Sequence, residues 1–192
     1  MKEEVDEDEV YEEEAVKQSL LEKAEVSLLL DTYDDIFSDF DPRHYSQRSL
    51  SDDFLIEARK AAIDKEGGFE LHFLIPKAVR RLEQENLIKK RLREHFKRHA
   101  SLLENEISRI KRQGLFLIIS GIIMMFMAVA FYSGLISVNE LIKTIILVIT
   151  EPAGWFLFWI GGEKIVYERR EKMPELNFYR KMTHANIVFI SY

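Results

Sequence analysis

The sequence predicts a membrane α-helical hairpin of two transmembrane helices, joined through a long basic helical stalk to a small α+β cytoplasmic module. Two long apolar runs, an uneven distribution of charge and two short strand patterns support this fold class. The 192-residue chain has a net charge of −6, yet residues 1–76 hold 22 acidic and 8 basic side chains, whereas residues 77–113 hold 5 and 12. The absence of cysteine excludes disulfide scaffolds, thiolate metal sites and cysteine nucleophiles.

Residues 1–14 contain nine acidic side chains and one lysine. Such a block repels itself and has little to bury, so we predict a disordered acidic tail. The α+β module is predicted over residues 15–76. Within it, residues 26–30 (VSLLL) could end a helix or form a buried strand, and the apolar residues at four-residue intervals from Val16 to Leu28 favour the helix.

Three further patterns belong with this module. Ser51 and the two aspartates after it predict a helix over residues 52–65, which a Gly-Gly pair ends. Apolar side chains alternate over residues 69–75, and a second strand pattern, ANIVFISY, covers residues 185–192. Because a strand cannot stand alone, we predict that these two strands pair, although the whole apolar hairpin lies between them in sequence.

Residues 77–113 are predicted to form the basic helical stalk, because Pro76 suits a first helical turn and no Pro or Gly follows until Gly114. Its apolar residues recur with alternating four- and three-residue spacing, which is typical of an amphipathic or coiled-coil helix. They are Phe96, Ala100, Leu103, Ile107 and Ile110. The pattern covers about two heptads, so association into a homo-oligomer is a hypothesis.

The two apolar runs predict the hairpin. Residues 114–136 are 23 positions without a charge, and at about 1.5 Å per residue they can cross a hydrocarbon core of roughly 30 Å. Residues 137–140 form the external connector. Residues 141–162 form the second transmembrane helix, with a break at its Glu-Pro pair.

Two interpretations of this pair stay open. In one, the segment is a single spanning helix kinked at Pro152, and Glu151 faces a partner, a cavity or a neighbouring subunit because a charge at the bilayer centre costs about 2.5–3.5 kcal/mol. In the other, Thr150 caps a helix that begins at Glu151, and the apolar stretch left is too short to cross alone. We favour a full span with a break, partly re-entrant.

Loop charge predicts the orientation of the hairpin. Lys and Arg residues precede the first apolar run and follow the second, whereas the connector has none. By the positive-inside rule both chain termini are cytoplasmic, including the tail over residues 163–192 with its C-terminal strand. We therefore predict a multi-pass protein of the inner (plasma) membrane.

The cations of the stalk predict contacts with anions. Nucleic acid is disfavoured as a partner because aromatic side chains for base stacking are scarce there. Anionic lipid head groups fit better, since each cation near the membrane surface contributes about 1 kcal/mol. A further alternative is that the stalk docks on the acidic module. The candidate lipid contacts are Lys97, Arg98, Arg109, Lys111 and Arg112.

A cluster of aspartates follows residue 30. Clustered carboxylates suit divalent cations, but the spacing lacks the glycine and terminal glutamate of an EF-hand, so a metal site stays unassigned. The favoured interpretation is that the aspartates cap backbone amides and pair with Arg43 and Arg48. Phe37 and Phe40 are expected to anchor the turn that they surround.

His95 and His99 have a zinc-chelating spacing, but no third ligand is evident and cations flank them, which favours a solvated basic helix face. The sequence contains no phosphate-binding glycine motif and no nucleophile elbow. We therefore predict no catalytic residues, no cofactor and no enzymatic activity.

Two stretches carry resemblances to known families. Residues 35–58, DIFSDFDPRHYSQRSLSDDFLIEA, resemble a segment of small, functionally uncharacterised prokaryotic two-pass membrane proteins. The order of basic stalk, helix, connector and Glu-Pro pair followed by aromatics is similar to the layout of mitochondrial calcium uniporter pores. The uniporter signature has Trp and Asp ahead of that pair, whereas this chain has Leu147 and Val148, so this resemblance covers only Glu151 and Pro152.

Together these features predict an integral membrane protein that acts as a membrane-anchored interaction or regulatory module with an unidentified protein partner. The alternative is an oligomeric cation channel or transporter subunit, in which a ring of Glu151 carboxylates selects charge and Pro152 lies beside it.

Overall fold

The computed structural model describes residues 26–63 and 70–192. It is mostly helical, with one small parallel sheet. The chain divides into two compact units, which we call the sheet unit, up to Ala100 together with residues 177–192, and the hairpin unit, residues 101–176. The predicted acidic tail lies outside the described residues.

The sheet has three parallel strands, β1 (Val26–Leu29), β2 (Glu70–Ile75) and β3 (Asn186–Ser191), in the order β1-β2-β3. Leu71 on β2 pairs with Val26 on one side and Ile187 on the other. The predicted pairing of the two strands that flank the hairpin is therefore confirmed for the described residues.

The helix predicted through residues 26–30 is wrong, because β1 takes up these residues as an edge of the sheet. An apolar run of this length is compatible with either structure, and the second edge of β2 supplies the hydrogen-bonding partner that decides between them. The earlier part of that predicted helix, residues 15–25, lies outside the described residues. So do residues 64–69, where the next helix was predicted to end.

The described residues contain four α-helices, and the sequence patterns predicted the first three with shifted ends but not the fourth. They are α1 (Asp52–Ile63), α2 (Leu82–Tyr132), α3 (Glu140–Glu163) and α4 (Arg169–His184), with a π turn (Lys164–Glu168) between the last two. Helix α2 begins at Leu82 and not at Pro76, because residues 77–79 form a turn. It runs through Gly114 without interruption, so the stalk and the first apolar run are one helix.

The core of the sheet unit is aromatic and aliphatic. Phe73 on β2 is fully buried, with Phe54 of α1 5.9 Å and Phe189 of β3 5.1 Å away between ring centroids. The first turns of α2 bury Phe96, whose ring lies 6.2 Å from that of Phe178 on α4. The strands are thus covered by helices that come from before and after the hairpin.

In the hairpin unit, α2 and α3 touch through four glycines: Gly114 and Gly121 on α2, and Gly154 and Gly161 on α3. A Cβ atom at Gly121 would lie 2.6 Å from the carbonyl oxygen of Gly154, and one at Gly161 would lie 2.6 Å from that of Gly114. On each helix the two glycines are seven residues apart, so they recur on one face. Small residues at such positions let helix backbones approach closely.

Helix α3 passes through the Glu-Pro pair. The predicted break is wrong, because the helix contains Pro152 in its interior. The interpretation in which Thr150 caps a new helix is also wrong, since the Thr150 hydroxyl donates to the carbonyl of Ile146, 2.7 Å away, as an interior helical residue does. The second apolar segment is therefore a single helix.

Candidate functional site

The candidate pore residue Glu151 lies in a groove between α2 and α3, about 410 Å³ in volume. Apolar and aromatic side chains form most of its lining: Met125, Ala128, Val129 and Tyr132 from α2, and Leu147 and Trp155 from α3. Glu151 is the charged member of this lining, and we call the groove the carboxylate groove. On α3 its residues recur every four positions, which places Glu151 between Leu147 and Trp155 on one face.

Glu151 is exposed in the hairpin unit, as is Pro152 beside it. Proline has no backbone N–H, so the carbonyl of Val148 lacks its usual helical hydrogen-bond donor. This carbonyl oxygen is a second free acceptor, three residues before Glu151 in the sequence. In a water-filled cavity such a group can hold a cation or exchange a proton. In hydrocarbon it needs a partner.

The five candidate lipid contacts are all exposed. Lys97 and Arg98 belong to the sheet unit, and Arg109, Lys111 and Arg112 belong to the hairpin unit. Exposure leaves these side chains accessible to anions. Among them, Arg112 is special in that it also lines a groove between two helices.

Other cations of the predicted stalk have structural roles. Glu85 is 2% exposed and accepts from Arg80 Nε at 2.7 Å, while the backbone N–H of Arg81 donates to the Tyr33 hydroxyl at 2.8 Å. Burial raises the pKa of the Tyr33 hydroxyl, so it stays protonated. Arg91 Nε donates to a backbone carbonyl at 3.0 Å. The guanidinium groups of Arg80 and Arg91, together with the backbone N–H of Arg81, therefore make contacts that stabilise the sheet unit, and the residue types alone did not reveal these contacts.

The aspartates after residue 30 fold a loop, residues 31–51, as predicted. Asp41 accepts from Arg43 Nη2 at 2.6 Å and from the Ser49 N–H at 2.7 Å, and the Arg43 guanidinium holds the pKa of Asp41 well below its usual range. Asp34 pairs with Arg48. Within the described residues, no group of three potential metal ligands occurs.

The predicted aromatic anchors of this loop behave differently. Phe37 is buried and stacks on Tyr45 with 5.1 Å between ring centroids, whereas Phe40 is 97% exposed, so its anchoring role is wrong. Phe37 also makes an isolated bridge to Leu50 that closes the loop. One aromatic fills the space beneath the loop, and Phe40 lies on its outer turn.

The two stalk histidines lie on a half-buried face and not on the predicted solvated one. The His95 and His99 rings stack with 4.1 Å between centroids, and His99 stacks on Tyr179 at 5.2 Å. Burial, and then the neighbouring His99 and Arg91, lower the pKa of His95 to about 4. Tyr179 comes from the C-terminal part of the chain, so the sequence spacing on α2 alone could not show this packing.

Comparison with protein-family models, with curated proteins and with solved structures finds no match to this chain.

Proposed function

We propose that this chain is a two-pass membrane protein whose hairpin anchors the sheet unit at the cytoplasmic surface as an interaction or regulatory module. The observation that carries the proposal is the exposure of the two apolar helices. In the most apolar 18-residue windows of the two long helices, only 22% and 11% of residues are buried. The core helix of a soluble protein would bury most of such a window, whereas lipid covers it in a membrane.

Individual side chains support the same proposal. Phe116, Ile123 and Phe126 on α2 are 60–70% exposed, and Leu141 and Val148 on α3 are 71% and 67% exposed. Exposed apolar surface of this extent marks an interface with lipid or protein. The glycine contacts hold the two helices together without covering these faces.

The orientation is part of the proposal. The cations on the stalk side of the hairpin favour cytoplasmic termini and an external connector. Because the chain has no native cysteine, single reporters at Ser101 and Ser137 give a clean test. We expect a membrane-impermeant maleimide to label Ser137→Cys in intact cells, and Ser101→Cys only after permeabilisation. Labelling of both from one side, or release of the protein by alkaline carbonate, contradicts the proposal.

A basic face on the sheet unit supports the interaction role. Lys90, Arg93 and Lys97 recur on one side of α2 and are exposed, which suits an acidic segment of a partner protein. We expect a photo-crosslinker at Arg93 to give discrete protein adducts in native membranes, and one at the exposed Glu57 of α1 to give none. Identical patterns at both positions contradict a role for this face. The prediction that the chain is not an enzyme stays a prediction.

A cation conduit is the second candidate, favoured by the carboxylate groove. A ring of Glu151 side chains from several copies would select cations as other acidic rings do. The test is ion flux into proteoliposomes that contain wild type, Glu151→Gln or Glu163→Gln. Flux lost in Glu151→Gln but kept in Glu163→Gln supports the conduit, because Glu163 lines a different groove. Absence of flux in wild type rules it out.

A further inference from the structure

A second groove of the hairpin unit combines cations with an apolar wall. It has a volume of about 590 Å³ and is lined by Arg112, Gln113, Phe116 and Leu117 of α2 and by Lys164, the first residue of the π turn. We call it the basic groove. Arg112 and Lys164 lie in segments that are far apart in sequence, so the pattern of charge along the chain does not show that they line one groove.

We propose that the basic groove binds an anionic phospholipid, with its phosphate between Arg112 and Lys164 and an acyl chain along Phe116 and Leu117. This inference depends on the proposed membrane insertion of the hairpin. Basic pockets between membrane helices on the cytoplasmic side recognise lipid head groups in this manner.

The position of the groove along the chain fits a lipid. Arg112 and Gln113 directly precede the 23-residue uncharged run, and Lys164 directly follows the last residue of α3. Phe116, one turn further into the run, is 69% exposed, and Leu117 is half-buried. The polar end of the groove therefore lies where head groups begin, and its apolar end lies where acyl chains begin.

The backbone explains how the two cations reach one ligand. A Cβ atom at Gly114 would lie 2.8 Å from the carbonyl oxygen of Gly161, so α2 and α3 approach closely just beside the groove. The π turn then begins at Lys164 and changes the direction of the side chains that follow. Single π turns within α-helices are frequent at functional sites.

The charges in the groove favour a monoanion. Lys164 Nζ contacts the two carboxylate oxygens of Glu168 at 2.9 and 3.0 Å, which offsets its charge. Within the described part of the chain, Arg112 has no ion-pair partner and is exposed. One positive charge thus remains uncompensated, and a phosphodiester supplies the matching negative charge. The guanidinium can take it in two parallel hydrogen bonds, while the ammonium adds a third donor.

The test uses the full chain purified in detergent and titrated with phosphatidylglycerol, phosphatidylcholine or inorganic phosphate, with bound lipid counted by native mass spectrometry. We expect wild type to prefer phosphatidylglycerol. Since a cation near the surface contributes about 1 kcal/mol, Arg112→Gln should weaken that binding about five-fold, and Lys164→Gln should weaken it less, because Glu168 already offsets the charge of Lys164. Lys111→Gln is the matched control, because Lys111 is exposed but does not line the groove.

The outcomes separate the sources of the anion. Equal weakening by Lys111→Gln overturns the proposal, since it indicates diffuse attraction to a basic segment. Inorganic phosphate that competes as well as lipid also overturns it, because the apolar wall then contributes nothing. Resistance of every variant to alkaline carbonate is measured in parallel. Loss of insertion in wild type removes the proposed membrane function itself, whereas insertion without lipid preference removes only the basic groove.

Discussion

The glycine contacts between α2 and α3 make a quantitative prediction for Gly121→Ala. The added Cβ atom would lie 2.6 Å from the Gly154 carbonyl oxygen and 2.7 Å from the Phe158 nitrogen. Both are backbone atoms, so no side-chain rotation relieves the overlap. The helices must separate by about 0.8 Å to restore an ordinary contact of 3.4 Å. We expect the variant to lose about 1–3 kcal/mol of stability from this overpacking.

The control for this substitution is Gly162→Ala. Nothing lies within 4 Å of a Cβ atom at Gly162, although this residue is also in α3. Alanine favours the helix over glycine by about 0.8–1.0 kcal/mol at either position, so this gain cancels when the two variants are compared. The difference in stability between the two variants therefore measures the effect of the helix–helix contact alone.

The assay is unfolding of the full chain in detergent micelles, followed by far-ultraviolet circular dichroism and by the fluorescence of Trp155 and Trp159, which both lie on α3. We expect the midpoint of Gly121→Ala to fall below that of wild type and that of Gly162→Ala to stay level or rise. Equal midpoints for the two variants would refute the close approach of the two backbones at Gly121.

Three further predictions concern the sheet unit. Burial lowers the pKa of His95 from 6.5 to about 4 in the folded state, so the stability of the fold decreases as the pH drops from about 6.5 to 4. This pKa shift corresponds to about 3 kcal/mol, and solvent screening reduces the expected loss of stability to about 1–2 kcal/mol. Urea titrations at pH 7 and 5 should show this loss in wild type but not in His95→Gln. Tyr33→Phe leaves the Arg81 N–H unsatisfied and should cost about 1–2 kcal/mol in the same titration. Asp41→Asn weakens the bond from the Ser49 N–H, and hydrogen exchange at that amide should accelerate.

Each of these predictions has a neighbouring control. His44→Gln changes an exposed loop histidine and should leave the pH dependence intact. Tyr45→Phe removes a hydroxyl that contacts an exposed carboxylate at 3.1 Å, and should cost less than Tyr33→Phe. Asp39→Asn alters a side chain that is 91% exposed and should not change exchange at Ser49. If a control variant shows the same change as the variant with which it is paired, the assigned contact is contradicted.

Local sequence pattern predicted α1, α2, α3 and the strand pairing, but it missed α4 and failed where long-range contacts decide the structure. Phe96 was placed on the apolar face of a helix by its spacing, and it is fully buried. The strand at Val26 was missed because its identity depends on hydrogen bonds to β2, more than forty residues away. The expected break at Pro152 did not form, since the helix runs on through this residue from Glu140 to Glu163.

The candidate sites show the same division. Glu151 could be identified from the sequence because it is a charged residue in an apolar segment. The walls of its groove come from both helices, so they could be identified only from the structure. Lys164 carried no signal beyond its charge until the π turn and the contact at Gly161 brought it beside Arg112. A charged residue within an apolar segment can therefore be found from the sequence, whereas a site that two segments form from common residue types becomes visible only in the structure.

The connectivity of the sheet gives the hairpin a role in folding. β3 can pair with β2 only after the chain has passed through residues 76–185, and closing such a connection is entropically costly. The hairpin unit reduces this cost, because after α2 and α3 the start of α4 returns the chain beside α2: Glu106 Oε1 on α2 and Lys172 Nζ on α4 lie 3.4 Å apart. A bulky Gly121→Leu substitution should therefore lower the amide-exchange protection of β3 as well as that of the hairpin, while Gly162→Ala leaves both unchanged. Full protection of β3 in Gly121→Leu would show that the strands find each other without the hairpin contact.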